Sequence, residues 1–305
     1  MATRERDAVV VAGVRVTHPG RVLFDELGLT KEALARYYEE IADWLLPDLR
    51  NRPLALVRCP QGPGEGCFYQ KHIDRAWPEA IDRVVIPEST GEGTYAVANS
   101  AAAVVGLVQQ GVIELHAWGA TTLDLAKPDR MVFDLDPDPA LPWREVMAAA
   151  RTTRERLDGL GLESFVKTSG GKGLHVVVPL ARRHDWDEVK EFSRALAESM
   201  AADAPARFTT KVAKKERERR IYIDYLRNTA GATTIAAYSV RARSGAPVST
   251  PLHWDELGAR LRPTAFHAGN VARRLRGLHS DPWKAFRRTA QTLTAAMKRK
   301  LAIEP

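Results

Sequence analysis

The sequence predicts an α+β fold with mixed or largely antiparallel sheets. Short β-runs and helical segments are interspersed along the chain, without the regular strand–helix–strand alternation that a parallel sheet requires. No repeat of 20–50 residues and no low-complexity linker divides the 305 residues. We therefore expect one continuous domain over residues 1–305, with its core at about 14–285 and a basic helical tail at about 286–305.

The first half of the chain predicts two helices among short strands. Thr30 is a suitable N-cap for a helix over Lys31–Leu46, whose apolar residues recur at helical spacing, and Pro47 is expected to end it. The other predicted elements are the strand Pro53–Cys59, the strand Arg83–Ile86, the helix Ala101–Gln110 that Gly111 stops, and the strand Val112–Trp118.

The second half contains more strands. Its predicted strands are Arg130–Asp136, Glu163–Thr168, Leu174–Leu180, Arg207–Val212, Arg220–Tyr225 and Thr233–Val240. Its predicted helices run from Pro142 to about Leu157 and over Trp186–Ala202. Beyond Pro251 the chain is expected to be mostly helical.

Composition indicates a soluble globular protein. The 45% hydrophobic and 27% charged content excludes collagen-like, disordered and coiled-coil classes. Apolar stretches such as Ala101–Val108 fall short of the roughly 18 residues that span a bilayer. The N-terminus, with Glu5 and Asp7, lacks a secretory pattern. We expect a cytoplasmic protein without a membrane partner.

The two cysteines do not indicate a disulfide framework or a zinc site. Cys59 and Cys67 lie eight residues apart, without a second pair or a histidine at zinc-finger spacing. Neither a disulfide nor a structural zinc site is indicated, so reduced thiols are expected.

The charge is basic and unevenly distributed. Forty-five Lys and Arg against 38 Asp and Glu give a net charge of +7, which favours a polyanionic partner. Lys211–Arg220 contains six basic residues in ten, and a second basic segment lies near the C-terminus. Solvated helical faces would explain the same runs.

Two acidic residues share one face of a predicted strand. Side chains alternate along a strand, so Phe133 and Leu135 are expected to face the core. Asp134 and Asp136 then share the opposite surface, where like charges become favourable if Mg²⁺ or Mn²⁺ lies between them. Asp224, in RIYIDY, is a candidate third ligand. An acidic turn at the end of the strand is the alternative.

A glycine-rich segment, TSGGKGLH at residues 168–175, joins two predicted strands. Its glycines let backbone amides approach an anion, and Ser169, Lys172 and His175 add donors, as in a triphosphate cradle. Because a strand follows it, the segment is not a Walker A loop. An ordinary hairpin turn is the alternative, and both His175 and His116 are compatible with structural roles.

Aromatic and basic residues supply further candidates. Phe68 and Tyr69 are suited to stacking on bases, and the flanking Arg58 and Lys71 are suited to holding phosphates. One ring of such an aromatic pair commonly faces the core. Arg227 lies three residues after Asp224, and Arg241 directly follows the predicted strand Thr233–Val240. Either arginine is a candidate for binding a phosphate, and a plain ion pair is the alternative.

The motifs VFDLDPD, TSGGKGLH, IYIDYLRN and TTIAAYSVRAR, in this order, closely resemble the polymerase domain of bacterial ATP-dependent DNA ligase D, in the archaeo-eukaryotic primase superfamily. THPGRVLF at 17–24, LTK at 29–31 and FYQK at 68–71 agree as well, so the resemblance extends from about Val14 to Trp283. It implies a primase-like fold, with sheets flanked by helices around a central catalytic cleft.

The resemblance also implies an activity. Ligase D polymerase domains add nucleotides to primer 3′ ends at gaps or double-strand breaks during non-homologous end joining, with a preference for ribonucleotides. The implied cofactors are two Mg²⁺ or Mn²⁺ ions, and the implied partners are gapped or broken DNA with a 5′-phosphate, NTPs or dNTPs, Ku and a DNA ligase. The chain lacks the K-x-D-G ligase nucleophile, so sealing is not expected from it.

Matching positions imply the roles of individual residues. The implied catalytic and metal-binding residues are Asp134, Asp136 and Asp224. The implied nucleotide contacts are Ser169, Lys172, His175, His116, Arg241, Phe68 and Tyr69. The implied further DNA or phosphate contacts are Arg58, Lys71 and Arg227.

The N-terminal segment is the expected site for a DNA 5′-phosphate, whose terminal charge favours a compact pocket of fixed donors. A Pro-Gly pair bends the chain so that His18 and Arg21 converge, and Lys31 lies in a first helical turn whose free backbone amides favour anions. The family has basic residues for this purpose at matching positions. Surface charges and a turn histidine are the alternative.

Two other classes of function remain open at this point. A metal-dependent nuclease or phosphodiesterase also needs clustered carboxylates, but it has no use for a triphosphate cradle with a lysine. A non-catalytic nucleic-acid-binding repair module would have carboxylates that are only structural.

Overall fold

The computed structural model describes residues 8–303, and its helices and sheets confirm the predicted α+β class. The strands are β1 Ala8–Val11, β2 Val14–Thr17, β3 Val22–Phe24, β4 Leu29–Thr30, β5 Leu54–Arg58, β6 Phe68–Gln70, β7 Asp82–Glu88, β8 Gly91–Val97, β9 Val112–Trp118, β10 Arg130–Pro137, β11 Phe165–Thr168, β12 Leu174–Pro179, β13 Phe208–Thr209, β14 Ile221–Asp224, β15 Thr233–Ile235 and β16 Pro251–Leu252. The helices are α1 Lys31–Glu40, α2 Ala42–Leu49, α3 Ala101–Gln109, α4 Trp143–Leu160, α5 Trp186–Asp203, α6 Val271–Arg276 and α7 Ala295–Lys300.

The chain forms two compact units, each assembled from three separate stretches. Unit 1 comprises the chain through Trp118 together with Thr233–Ser249 and Phe266–Leu278. Unit 2 comprises Gly119–Ala232, Thr250–Ala265 and the chain from His279 onward. Neither unit is contiguous in sequence, and the single domain of the sequence analysis stays a prediction.

Unit 1 is built on a sheet with the strand order β15-β9-β5-β8-β7, to which β6 is added by pairing with β5. Leu54 and Leu56 of β5 and Leu115 of β9 are buried in this sheet, as expected of strands rich in apolar residues. Two small hairpins, β1-β2 and β3-β4, also belong to unit 1, where α3 contacts both β2 and α1.

The predicted first helix is two helices. Thr30 caps α1 as expected, since its hydroxyl accepts a hydrogen bond from the Ala33 amide. Ile41 then interrupts the helix, and α2 continues to Leu49 with Pro47 inside it. Proline loses a single backbone hydrogen bond in this short helix, so the prediction that it ends the helix is wrong.

Unit 2 is built on a sheet with the strand order β13-β14-β10-β12-β11-β16. Only β13 and β14 pair in parallel, and the other neighbours are antiparallel. The long helices α4 and α5 pack against β10. β10 is therefore a central strand with paired neighbours on both edges, a position that fixes the side chains it carries.

The expectation of reduced thiols is wrong. Cys59 and Cys67 form a disulfide, with their Cα atoms 4.4 Å apart. The physical reason is the local hairpin: β5 and β6 pair antiparallel, and their last partners are Arg58 and Phe68. Cys59 directly follows Arg58 and Cys67 directly precedes Phe68, so the hairpin brings the two cysteines together.

Some predicted strands and helices differ in extent. The strand Arg83–Ile86 is the longer β7, and its hairpin partner β8 was missed because glycines interrupt its β-pattern. The predicted strand Arg207–Val212 is only the two residues of β13. The residues beyond Pro251 are mostly turns around the short α6 and α7, so the helical prediction is wrong there.

Turn chemistry explains the C-terminal difference. Gly269 precedes α6 and Gly277 follows it, and Pro263 and Pro282 lie in the neighbouring turns, so this part of the stretch favours turns over a long helix. The ends of the predicted domain and tail, residues 1–7 and 304–305, lie outside the described residues. Within residues 8–303, no helix is both long and apolar enough to cross a membrane.

Candidate active site

A row of polar side chains crosses the central strands of unit 2. Phe133 and Leu135 are fully buried and Asp134 and Asp136 are partly exposed, so the predicted alternation is present in β10. Asp134 lies opposite Asp224 of β14 on one side and opposite His175 of β12 on the other. Directly opposed residues point to the same face of a sheet. Their side chains therefore form one continuous row, with Asp136 two residues further along β10.

Arg227 pairs with the two opposed carboxylates of this row. Its Nε lies 3.3 Å from Asp134 Oδ2 and 3.1 Å from Asp224 Oδ2. The buried His175 contributes Nε2 at 3.4 Å from Asp134 Oδ1. One guanidinium thus bridges two carboxylates whose mutual repulsion would otherwise separate them.

Asp136 has its own positive neighbours. Lys172 Nζ lies 3.2 Å from its Oδ1, and Arg217 Nη1 lies 3.2 Å from its Oδ2. Arg217 also stacks on the ring of Tyr222, with its guanidinium carbon 3.7 Å from the ring centroid. Because Tyr222 pairs with Asp136 in the sheet, this stacking fixes the arginine beside the carboxylate.

The electrostatics of Asp134 reflect this crowding. Burial raises its pKa to about 6, and the charges of Asp224 and Asp136 act in the same direction. Arg227 and Lys167 oppose the rise but do not cancel it. A carboxylate with a raised pKa gains stabilisation from any additional cation beside it.

The donor chemistry of the row fits a hard divalent cation. Mg²⁺ and Mn²⁺ prefer carboxylate oxygens, and Asp134, Asp136 and Asp224 supply them on one face. In the part of the chain that the structure describes, no group of three or more His, Cys, Asp or Glu side chains is arranged as a formed metal site. The carboxylates instead contact the cationic side chains described above.

The glycine-rich segment is a tight turn between the antiparallel β11 and β12. Ser169 Oγ closes it by accepting hydrogen bonds from the amides of Gly171 and Gly173, each at 3.2 Å. A Cβ on Gly173 would lie 2.4 Å from the Leu135 carbonyl oxygen, so only glycine fits against β10. Because the turn lies so close to β10, Lys172 contacts Asp136. The segment therefore forms a hairpin turn, and its phosphate-binding role stays a prediction.

In unit 1, Glu114 contacts two of the residues predicted to bind the nucleotide. Glu114 Oε2 lies 2.8 Å from His116 Nε2 and 3.0 Å from Arg241 Nε. Glu114 Oε1 accepts a hydrogen bond from the Ala242 amide at 2.8 Å. Although burial raises the pKa of Glu114, these partners outweigh it and lower the pKa to about 2.

The predicted aromatic contacts are exposed. Phe68 and Tyr69 are 48% and 51% exposed, so neither ring is in the core, unlike the usual loop arrangement. The Tyr69 ring packs edge-on against His116, with centroids 5.9 Å apart, and its hydroxyl lies 2.8 Å from Thr233 Oγ1. Arg58 stacks on Phe68 with its guanidinium carbon 5.4 Å from the centroid.

The backbones of the three residues predicted to bind a 5′-phosphate lie close together. The Arg21 amide donates to the His18 carbonyl at 3.1 Å, and the Lys31 amide donates to the Arg21 carbonyl at 2.8 Å. His18 has a φ of +51°, which closes the turn. Arg21 Nη1 donates to the Pro60 carbonyl.

Two details of that prediction are corrected. Lys31 is only 7% exposed, because its Nζ donates to the carbonyl and the Oε1 of Gln109 at 3.0 and 2.9 Å. Burial, with a smaller effect from Arg21, lowers its pKa to about 8. The first amides of α1 are not free: those of Lys31, Glu32 and Ala33 donate to Arg21, Pro19 and Thr30.

The predicted site residues fall into both units. Unit 2 holds Asp134, Asp136, Asp224, Ser169, Lys172, His175 and Arg227. Unit 1 holds His116, Arg241, Phe68, Tyr69, Arg58, Lys71, His18, Arg21 and Lys31. Sequence reasoning missed Glu114, Gln109, Lys167 and Arg217. Of these, only Glu114 had a local signal, because it precedes His116 by two residues on the same strand face.

The similar proteins all belong to one family. Residues 30–283 match the family model described as LigD, primase-polymerase domain. The LigD end-joining protein of Pseudomonas aeruginosa is 45% identical over 291 residues, which cover 95% of this chain and 35% of that protein. LigD of Mycolicibacterium smegmatis is 32% identical over 246 residues, covering 80% of this chain and 32% of the relative.

A solved structure agrees with these matches. The polymerase domain of Mycobacterium tuberculosis ligase D, in complex with DNA, superposes with a TM-score of 0.85 and 28% identity, covering 91% of this chain and 99% of that domain. The fold and the matched family define a polymerase-type nucleotidyltransferase. The chain belongs to the LigD primase-polymerase domain family. It spans about a third of the length of these LigD relatives.

Proposed function

We propose that the chain adds nucleotides, in a template-directed reaction, to primer 3′ ends at gaps or double-strand breaks during non-homologous end joining. In this reaction the primer 3′-oxygen attacks the α-phosphorus of the incoming nucleotide in line, and pyrophosphate leaves. The preference for ribonucleotides rests on the family resemblance alone, since no residue of the chain requires it physically.

The observation that carries the proposal is the row formed by Asp224, Asp134 and His175, with Asp136 beside it. The three carboxylates would hold two divalent cations, Mg²⁺ or Mn²⁺, which when bound would neutralise the triphosphate and activate the 3′-hydroxyl. His175 orients Asp134 through its contact at 3.4 Å. Lys172, beside Asp136, would pair with phosphate oxygens, and Arg227 would stabilise the negative charge near Asp224.

Side chains of unit 1 would bind the substrates. His116 and Arg241 would contact the incoming nucleotide, and the exposed rings of Phe68 and Tyr69 would stack on a base or the template. Arg58, Lys71 and Ser169 would contribute further DNA or phosphate contacts. His18, Arg21 and Lys31 would recognise the 5′-phosphate of the gap.

The biological setting is proposed from the relatives. The matched proteins are named as non-homologous end joining proteins, and the matched structure is a DNA complex. We infer that gapped or broken DNA and NTPs or dNTPs are the substrates of this chain. Ku and a DNA ligase would be its partners, in the bacterial cytoplasm.

A primer-extension assay tests the proposal. A gapped duplex with a 5′-phosphate is incubated with each NTP and dNTP, with Mg²⁺ or Mn²⁺. The expected product is a primer lengthened by the nucleotide complementary to the template, and EDTA abolishes it. A shortened primer would favour a nuclease instead, and DNA binding without extension or NTP binding would indicate a non-catalytic module.

A further inference from the structure

Glu114 is a buried acid that the proposed reaction does not use directly. It is 5% exposed and lies in β9 between the buried Ile113 and Leu115. Taking a carboxylate out of water is strongly unfavourable unless charges and hydrogen bonds compensate it. The contacts of Glu114 therefore show what its charge stabilises.

These contacts join two distant parts of unit 1. Through Oε2, Glu114 contacts both His116 on its own strand and Arg241, which lies 127 residues further along the chain. Through Oε1 it accepts a hydrogen bond from the backbone of Ala242. One carboxylate thus fixes the Arg241 side chain and the main chain that carries it.

His116 is held from a second side. The ring of Tyr69 packs edge-on against it, and the Tyr69 hydroxyl is itself fixed by Thr233. The carboxylate contact at Nε2 favours the tautomer in which this nitrogen carries the proton. The orientation of His116 therefore depends on Glu114 and Tyr69 together.

We propose that Glu114 is a positioning residue, which holds His116 and Arg241 in the arrangement that binds the incoming nucleoside triphosphate. This inference rests on the proposed function, because it assigns a role relative to that substrate. Glu114 does not itself touch the nucleotide. It preorganises two donors, so that fewer side-chain rotamers are lost when the triphosphate binds.

The test is the variant Glu114→Gln, which keeps the size of the side chain and removes its charge. We expect KM for ATP in primer extension to rise about 10-fold, with kcat within about 2-fold, because ground-state binding is affected. Glu40→Gln is the matched control: Glu40 also pairs with an arginine, Arg276, but on the surface of the same unit. Its KM should not change.

A double-mutant cycle separates positioning from a general structural role. In an Arg241→Ala background, Glu114→Gln should raise KM by less than about 3-fold, because one of the two groups it positions is already absent. Glu114→Asp, which keeps the charge on a shorter side chain, should give an intermediate KM and covers the case in which Glu114→Gln does not fold.

The outcomes are distinguishable. If the wild-type chain neither extends a primer nor binds ATP in a direct titration, the proposed function fails. If the wild type does both and folded Glu114→Gln and Glu114→Asp keep its KM, the positioning inference alone is wrong. It is equally wrong if the KM effects of Glu114→Gln and Arg241→Ala simply multiply.

Discussion

Two carboxylates that are largely shielded from solvent respond to their surroundings in opposite ways. Although burial opposes them, the partners His116, Arg241 and the Ala242 amide lower the pKa of Glu114 to about 2, so they stabilise its charged form. Burial and two neighbouring carboxylates raise the pKa of Asp134 to about 6. The first environment suits a structural ion pair. The second leaves negative charge that a further cation would stabilise, as expected of a metal ligand.

Lys31 provides a residue-scale prediction for DNA-end recognition. We expect Lys31→Ala to weaken binding of a gapped duplex with a 5′-phosphate about 10-fold, because a charge-assisted contact to phosphate is lost. Binding of the same duplex with a 5′-hydroxyl should hardly change. Arg15→Ala, which removes an exposed charge from the nearby β2, is the control. Fluorescence anisotropy with both duplexes measures the difference, and equal losses on the two duplexes would contradict the assignment.

The lowered pKa of Lys31 gives this preference a pH dependence. Below its pKa of about 8 the ammonium is charged and attracts phosphate, and above it the charge is lost. The ratio of affinities for phosphorylated and unphosphorylated ends should therefore fall as the pH rises from 7 to 9.5. The ratio for Lys31→Ala should stay flat over the same range. A wild-type ratio independent of pH would show that another group supplies the preference.

Gly173 provides a prediction at the scale of the β11-β12 turn. Gly173→Ala places a methyl group 2.4 Å from the Leu135 carbonyl oxygen, so the turn must move away from β10. We expect a loss of about 2 kcal/mol in the free energy of unfolding and a reduced extension rate, since Lys172 moves with the turn. Gly159→Ala, in an open position of α4, should be neutral or slightly stabilising. Urea unfolding compares them, and equal behaviour of the two variants would contradict the steric argument.

The β5-β6 hairpin gives a direct test of the disulfide. Protein purified without reductant and then denatured should show no reactive thiol, because Cys59 and Cys67 are joined. After reduction, two thiols should react with a maleimide, and the melting temperature of the native protein should fall, since the cross-link restricts the unfolded chain. Two reactive thiols before reduction would restore the expectation drawn from the sequence.

Sequence reasoning succeeded where a pattern was local. The strands β9 and β10 were predicted within a residue because short segments rich in apolar residues favour strands, and alternation placed Asp134 and Asp136 on one face. It could not find Arg217, which looks like any other member of a basic run, until the fold set it beside Asp136. The Cys59–Cys67 pair and the contact between Glu114 and Arg241 likewise depend on pairing and long-range packing.

The charge of the whole molecule suggests a second, less specific mode of DNA binding. With a net charge of +7, the chain should attract phosphates wherever its basic residues lie. Replacing Lys214 and Lys215 together by alanine should weaken binding to phosphorylated and unphosphorylated ends alike. Each lost phosphate contact should also reduce the salt dependence by about one unit of slope. Salt titrations of both duplexes check this, and a loss confined to 5′-phosphorylated ends would contradict it.

The carboxylates of β10 and β14 are proposed to carry out nucleotide addition, and the extension rate of Asp134→Asn measures their contribution. Its matched control is Asp138→Asn, the same change four residues further along the chain. We expect Asp134→Asn to lower the single-nucleotide extension rate on a gapped duplex at least about 100-fold. Its melting temperature should stay equal or rise, because the raised pKa shows that the charge is unfavourable in the folded state. The control should retain activity. Extension by Asp134→Asn at the wild-type rate would show that Asp134 is not a catalytic residue.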